Sequence, residues 1–176
     1  SLVVNHEVLE TPGKYIDGEV YVDYETVHDR FNDRFYWDAN ENVLLYTLPD
    51  NLVTVAAGSN TYQVGKENQS ADYTIVRNDS NTMYLALDFV EQYTNITHEV
   101  YEDPNRTVIN TVWGDVDTAP AKKATQLRLK GGIKSPIVKD LEKGETLTIL
   151  DAGDSWTKAM TEDGVIGYLK NKFVGK

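Results

Sequence analysis

Carboxylates are the side chains with which this chain of 176 residues could most readily do chemistry, because it contains 28 Asp and Glu residues, three His and no Cys. A glycosidase needs two carboxyl groups that face each other across a cleft, roughly 5 to 10 Å apart. The acids that lie close together in the sequence are Asp29 and Asp33, and Glu99, Glu102 and Asp103. Since no catalytic motif surrounds them, we interpret them as solvated surface groups rather than as an active pair.

The histidine and cysteine content does not indicate a metal site. The absence of cysteine excludes disulfides, thiolate ligands and cysteine nucleophiles. His6, His28 and His98 are isolated in the sequence and lack the close spacing with other ligands that zinc sites prefer. The acidic turns at 38–42 and 102–105 lack the central Gly and the final Glu of a twelve-residue calcium loop. The sequence therefore predicts no metal and no other cofactor.

The elements that would position a binding site are clearest in the last fifty or so residues. Apolar and polar residues alternate there in short segments, and Gly and Asp punctuate the turns, which is typical of a small all-β module. The alternating segments are 127–132, 146–150, 157–160 and 165–170, and the turns are 141–145, 151–156 and 162–164. The pattern predicts a compact five-stranded barrel from Ala124 onward.

This stretch resembles the bacterial Src-homology-3 (SH3b) family. The matching motifs are Leu127-Arg128, Leu141-Glu142-Lys143-Gly144, Ser155-Trp156 and Gly164-Val165-Ile166-Gly167-Tyr168-Leu169. The chain departs from the family pattern at Gly131-Gly132, where Gly-Pro is usual, and at Tyr168, where Trp is common. Members of the family are mostly wall-associated accessory modules of bacterial hydrolases, so the resemblance implies anchoring or recognition rather than catalysis.

The resemblance also implies a ligand groove lined by aromatic residues. The matching aromatic positions of this chain are Trp156 and Tyr168, and together with Arg128 they are the predicted ligand-binding residues. The alternative is that both aromatic side chains fill the interior of a small barrel. For Trp156, ligand binding and packing in the interior are equally supported, whereas for Tyr168 packing is the favoured interpretation.

The N-terminal region contains two copies of one pattern. Residues 20–31 resemble residues 83–94, and a hairpin pattern follows each copy, at 35–46 and 98–113. The sequence therefore predicts a duplicated strand-helix-hairpin unit. Near the two predicted helix starts, a carboxylate can cap free backbone N–H groups; these carboxylates belong to Asp23 and Asp88. Further strands are predicted at 51–57, 61–65 and 71–76.

This arrangement is similar to the copper amine oxidase N-terminal-like domain family, over roughly residues 1–115. The resemblance implies a noncatalytic structural or wall-facing module without metal. The order of the two modules resembles the N-terminal accessory region of clostridial glycoside hydrolase family 18 (chitinase-like) cell-wall proteins. The acidic Asp-x-x-Asp-x-Asp-x-Glu signature of that catalytic domain is absent from the chain, and its barrel would need about 250 residues. A catalytic domain is therefore expected outside this sequence.

Charge divides the chain in two. Residues 1–117 carry 21 acidic and 6 basic side chains, a net charge of −15, whereas residues 118–176 carry 7 acidic and 11 basic ones, a net charge of +4. The predicted domains are accordingly 1–117 and 124–176, joined by a linker at 118–123. The chain lacks an RNA-binding signature and an apolar run long enough for a bilayer, so neither a nucleic-acid partner nor a membrane span is expected.

The predicted fold class is α+β, mainly β: a duplicated strand-helix-hairpin domain followed by a small SH3-like β-barrel. The predicted function is noncatalytic binding of peptidoglycan or another anionic wall polymer. The chain would serve a larger secreted hydrolase whose catalytic domain follows it, at the cell wall or spore envelope of a Gram-positive bacterium. Two alternatives stay open, namely a spacer or protein-docking module without glycan affinity, and a small carboxylate-dependent glycosidase.

Overall fold

The computed structural model describes residues 2–5, 7–9, 13–101, 106–111 and 117–175. The chain splits into two compact units, the first Ser1–Thr47 with Val53–Val112 and the second Leu48–Leu52 with Trp113–Lys176. Strands dominate both units and the helices are short, so the predicted α+β, mainly β class is confirmed. Within the described part of the chain, no helix has the length and apolar character that a membrane crossing requires.

Thirteen strands and two short helices are described in the first part of the chain. The strands are β1 (Leu2–Val4), β2 (Glu7–Val8), β3 (Lys14–Ile16), β4 (Glu19–Asp23), β5 (Phe35–Asp38), β6 (Val43–Thr47), β7 (Leu52–Ala56), β8 (Thr61–Val64), β9 (Glu67–Ser70), β10 (Val76–Asp79), β11 (Thr82–Ala86), β12 (Ile96–Tyr101) and β13 (Arg106–Thr111). The helices are α1 (Tyr24–Thr26), which continues as a π-helical turn (Val27–Phe31), and α2 (Leu87–Glu91).

The predicted duplication is present at the centre of the first unit. Its four-stranded antiparallel sheet has the order β10-β11-β4-β3, so two hairpins meet where β4 pairs with β11. Both hairpins turn through two residues with positive φ, Asp17-Gly18 and Ser80-Asn81, as two-residue turns matched to the strand twist require. The repeat therefore begins one strand earlier than the sequence pattern indicated.

The two copies differ at the helix start. Asp23 is the N-cap of α1, and its Oδ2 accepts a hydrogen bond from the Thr26 N–H at 3.1 Å. Ala86 occupies the equivalent position before α2 and offers no capping side chain. Asp88 lies in the first turn of α2. The predicted cap is thus confirmed for Asp23 and wrong for Asp88, because Asp88 comes two residues too late to cap.

Two further sheets complete the described part of this unit. One has the order β12-β13-β1-β2, with β1 parallel to β13, and the other is the five-stranded sheet β5-β6-β7-β8-β9. The predicted strand at 71–76 is wrong, because residues 71–75 form bends and loop in which only Ile75 is fully buried. The polar strand β9 gave no alternating signal because its residues are mostly exposed. His6 and the acidic turn at 102–105, which contains Glu102 and Asp103, lie outside the described residues.

An aromatic cluster forms much of the core of the first unit. Its five rings are almost completely buried and belong to Phe35, Tyr46, Tyr62, Phe89 and Tyr93. Neighbouring ring centroids lie 4.6 Å apart for Phe35 and Tyr46, and 5.1 Å apart for Tyr62 and Phe89. Such pairs add to the stabilisation from burial alone. The rings of this cluster therefore pack α2 and the residues after it against the strands.

The second unit is built on a six-stranded antiparallel sheet with the order β14-β17-β18-β19-β15-β16. Its strands are β14 (Asp117–Pro120), β15 (Thr125–Arg128), β16 (Ile137–Leu141), β17 (Thr146–Ala152), β18 (Trp156–Thr161) and β19 (Ile166–Lys170), followed by a 3-10 helix (Asn171–Phe173). The pairing register shifts at Leu127/Arg128 and at Ile149/Asp151, and such bulges bend a sheet. The number of these last five strands matches the prediction, and β15, β17, β18 and β19 coincide with the predicted alternating segments, whereas β16 coincides with none of them.

The predicted linker at 118–123 differs from the structure. Residues 118–120 belong to β14, where Ala119 pairs with Leu147 of β17, and Ala121 forms a bridge to Val174. Ala119 and Ala121 are both buried. These small apolar residues attach residues 118–121 to the sheet, so most of the segment is part of it rather than a free connection.

Replacing Asp23 by Ala should cost about 1 kcal/mol of unfolding free energy, because the α1 N-terminus loses its only side-chain cap. Urea denaturation monitored by circular dichroism measures this loss. The matched control is Glu25→Ala in the same helix, which removes an exposed acid of the first helical turn but no cap. An equal loss of stability in both variants would contradict the assignment of Asp23 as the cap.

Candidate functional site

A groove of about 270 Å³ on the second unit is the candidate binding site. Six of its lining residues supply aromatic, apolar or cationic side chains: Arg128, Ile133, Trp156, Lys170, Lys172 and Phe173. We call it the Trp156 groove. Two of the three residues predicted from the sequence, Arg128 and Trp156, thus lie in one concave surface.

Adjacent strands and the loop after β15 position these side chains. Trp156 begins β18 and pairs with Lys170 at the end of β19, and the Lys170 Nζ lies 5.9 Å from the Trp156 ring centroid. Arg128 ends β15, and its Nη1 donates a hydrogen bond of 2.8 Å to the Ser135 carbonyl. This bond fixes the guanidinium against the loop while leaving its other donors for a ligand.

The loop after β15 packs closely on the indole. A Cβ atom built on Gly131 would lie 3.1 Å from both Cβ and Cγ of Trp156, whereas one on Gly132 meets nothing within 4 Å. Ile133, at the same loop, exposes 62% of its surface. The glycine allows the loop backbone to form one wall of the groove, and the loop then presents an apolar side chain to solvent.

The groove is electropositive. Among the described residues, no Asp or Glu forms a salt bridge with Arg128, Lys170 or Lys172. The Lys172 Nζ instead lies 5.1 Å from the ring centroid of Phe173. Cations beside aromatic faces suit a ligand that combines carboxylates with an apolar surface.

Tyr168 lies beside the Trp156 groove but is not among its lining residues. It pairs with Arg128 across β15 and β19 and with Lys158 across β18 and β19. Burial raises the pKa of its hydroxyl. The sequence missed Ile133, Lys170, Lys172 and Phe173; the only signal for the last three was their position at the end of the final predicted strand or directly after it.

A second cluster of chemically capable residues lies in the first unit. Asp88 and Glu91 of α2 and His98 of β12 bring one ligand atom each within 4.8 Å of one another. The His98 Nδ1 lies 2.5 Å from the Glu91 Oε1, and this hydrogen bond raises the pKa of His98. The sequence interpretation of His98 as isolated is wrong, because the turn after α2 folds β12 back beside the helix.

Glu19 of β4 adjoins this cluster. Burial, and then the carboxyl of Asp88 with which it forms a hydrogen bond, raise the pKa of Glu19 to about 8. Two carboxyl groups that share a site cannot both ionise readily. Glu19 therefore keeps its proton in the folded protein at a pH where an unfolded chain would release it.

We expect Gly131→Ala to cost about 1 kcal/mol of stability, because the new methyl group forces either the loop or the Trp156 ring to move. Thermal unfolding measures the loss, and indole fluorescence should report the displaced ring. Gly132→Ala is the matched control, since its methyl group enters open space and should leave both readouts unchanged. Indistinguishable behaviour of the two variants would refute the close contact.

The stability of Glu19→Gln relative to wild type should increase as the pH rises. The folded pKa of Glu19 is raised from its usual 4.5 to about 8, so the folded state holds the proton more tightly. Its contribution is complete below the unfolded pKa and is lost as the pH rises through the folded pKa. The charge of Glu19 is also one of the minor causes that raise the pKa of His98, so the comparison reports Glu19 together with its effect on His98.

Melting temperatures measured in a chelating buffer at about pH 5 and about pH 9 test this expectation. Glu19→Gln should gain relative to wild type at the higher pH. Glu67→Gln, an exposed substitution on the edge strand β9, is the control and should follow wild type at both. A constant difference between Glu19→Gln and wild type across this range would show that Glu19 titrates normally.

Comparison with known proteins bears on the first unit. Residues 3–110 match the family model of the copper amine oxidase N-terminal domain. No curated protein and no solved structure matches the chain. The copper amine oxidase N-terminal domain is a noncatalytic accessory domain, which supports the prediction that this chain is not itself an enzyme. Because the match covers more than half of its 176 residues, the chain belongs to the copper amine oxidase N-terminal domain family.

Proposed function

We propose that this chain is a noncatalytic region of a larger secreted bacterial hydrolase, and that its second unit binds peptidoglycan or another anionic wall polymer. The observation that carries the proposal is the Trp156 groove, in which Arg128, Lys170 and Lys172 surround exposed aromatic surface. An accessory domain of a noncatalytic family supplies the rest of the chain.

The chemistry of the groove fits a wall peptide with free carboxylates. A guanidinium binds a carboxylate through two parallel hydrogen bonds, which gives direction as well as attraction. The indole of Trp156 offers a flat apolar surface beside these cations, and Ile133 extends it. A ligand with acidic groups and short aliphatic side chains therefore matches the groove better than a neutral sugar.

The opposite charges of the two parts of the chain support the assignment of binding to the second unit. The net charge of −15 on residues 1–117 repels an anionic polymer, whereas the net charge of +4 on residues 118–176 attracts it. Exposed charges are screened within about 8 Å at physiological ionic strength. Binding is therefore strongest at low salt.

The wider context of the proposal rests on resemblance. The motifs of residues 127–169 resemble the SH3b family, and the order of the modules resembles the accessory region of clostridial glycoside hydrolase family 18 (chitinase-like) proteins. On this proposal a catalytic domain follows in the same polypeptide, and the protein acts at the cell wall or spore envelope of a Gram-positive bacterium.

Sedimentation with purified peptidoglycan sacculi at low salt tests the proposal. The wild-type chain should sediment with the sacculi, and Trp156→Ala should lower the apparent affinity about tenfold, which corresponds to roughly 1.4 kcal/mol. Lys172→Glu should weaken binding further because it places an acid in the groove. Added salt should reduce the binding of wild type.

Each variant has a matched control. Tyr36→Ala removes an aromatic ring of the first unit that is 59% exposed, and Lys143→Glu makes the same charge change at an exposed turn outside the groove. Neither should alter sedimentation. If wild type fails to sediment at low salt, the chain is a spacer or docking module without wall affinity. If the controls lose binding as strongly as the groove variants, the Trp156 groove is not the site.

A further inference from the structure

We propose that Asp88, Glu91 and His98 form a binding site for a divalent transition cation of the Zn²⁺ class. We call these three residues the His98 site. The proposal concerns the first unit alone and does not depend on wall binding by the second unit.

Secondary structure brings the three ligands together. Asp88 and Glu91 are three residues apart on α2, and residues at this spacing lie on the same face of a helix. His98 comes from the neighbouring strand β12, seven residues after Glu91. Their ligand atoms lie within 4.8 Å of one another. Ligands of one Zn²⁺ ion at about 2.0 to 2.2 Å lie roughly 3.5 Å apart, so small side-chain rotations close the site.

The environment of these residues favours a cation. Lys14, Arg30, Arg77 and Lys139 make their salt bridges elsewhere, with Glu7, Asp17, Asp79, Glu145 and Asp163. The carboxyl groups of Asp88 and Glu91 thus converge on an imidazole rather than on a fixed basic side chain. Glu19 forms a hydrogen bond with Asp88 and can orient that ligand from outside the site, as neighbours of metal ligands commonly do.

The ligand set selects the class of metal. Imidazole nitrogen suits Zn²⁺, Co²⁺, Ni²⁺ and Cu²⁺, whereas Ca²⁺ and Mg²⁺ prefer sites made only of oxygen ligands. Three protein ligands leave one position of a tetrahedral ion for water. The side chains of His98 and Glu91 are only 18% and 23% exposed, which partly shields the ion from solvent.

The chain contains an internal comparison for this site. His28 Nδ1 lies 2.9 Å from Asp29 Oδ1, but this pair is more exposed, at 39% and 73%. No third ligand accompanies it within the described residues. A histidine therefore lies beside a carboxylate at both His28 and His98. Among the described residues, only His98 also has a third ligand nearby, as a metal site needs.

Isothermal titration of the full 176-residue chain with ZnCl₂, after removal of metal by a chelator, tests the proposal. We expect one saturable site, and with Co²⁺ the visible absorption of a bound ion with a nitrogen ligand. His98→Ala and Glu91→Gln should each weaken Zn²⁺ binding at least about tenfold. His28→Ala, the matched control, should leave the affinity unchanged. Excess Mg²⁺ should not displace Zn²⁺.

Circular dichroism of each variant establishes that it is folded, and Glu91→Gln decides the question if His98→Ala does not fold. Absence of saturable Zn²⁺ binding to wild type at millimolar concentrations would overturn the proposal. Wild-type affinity in both Glu91→Gln and a folded His98→Ala would also overturn it, as would an equal loss in His28→Ala. Trp156→Ala should bind Zn²⁺ like wild type, which separates this site from the wall-binding groove.

Discussion

The pairing of β4 with β11 is the interaction on which the first unit depends. It joins the two copies of the repeat in one antiparallel sheet, with Val22 opposite Leu85 and Tyr21 opposite Ala86. All four side chains are completely buried. Each copy is a hairpin followed by a helix, and it cannot bury the apolar side chains of its strand alone. These side chains are buried because the two copies pack against each other. The same pairing places Glu19 of β4 near Asp88, which follows β11.

The sequence predicted local features well wherever one segment determined its own conformation. The hairpin at 35–46, the cap at Asp23 and four strands of the second unit, β15, β17, β18 and β19, follow from alternation, turn residues and capping chemistry. Residues whose position depends on partners distant in sequence were harder to predict. The polar edge strand β9 lacks alternation because most of its residues are exposed, and β14 is a strand only because it pairs with β17.

The same distinction separates the two candidate sites. Arg128 and Trp156 could be predicted because family motifs mark their strands, although Lys170, Lys172 and Phe173 join them only through the final pairing of β18 with β19. His98 could not be found from spacing, since the six residues between it and Glu91 contain a turn whose direction cannot be predicted from the sequence. Asp88 was predicted as a cap because it lies near the predicted helix start, although alignment of residues 20–31 with 83–94 places Ala86 opposite Asp23.

The parallel pairing of β1 with β13 has a mechanical consequence. These strands are the first and last described in the first unit, and Leu2 lies opposite Thr107 while Val4 lies opposite Ile109. Tension applied to the two ends of such a domain pulls the neighbouring strands lengthwise past each other. The hydrogen bonds between the two strands then bear the force simultaneously and must break together, rather than one after another. A domain with this geometry can transmit force along a polypeptide stretched between two attachments without unravelling from either end.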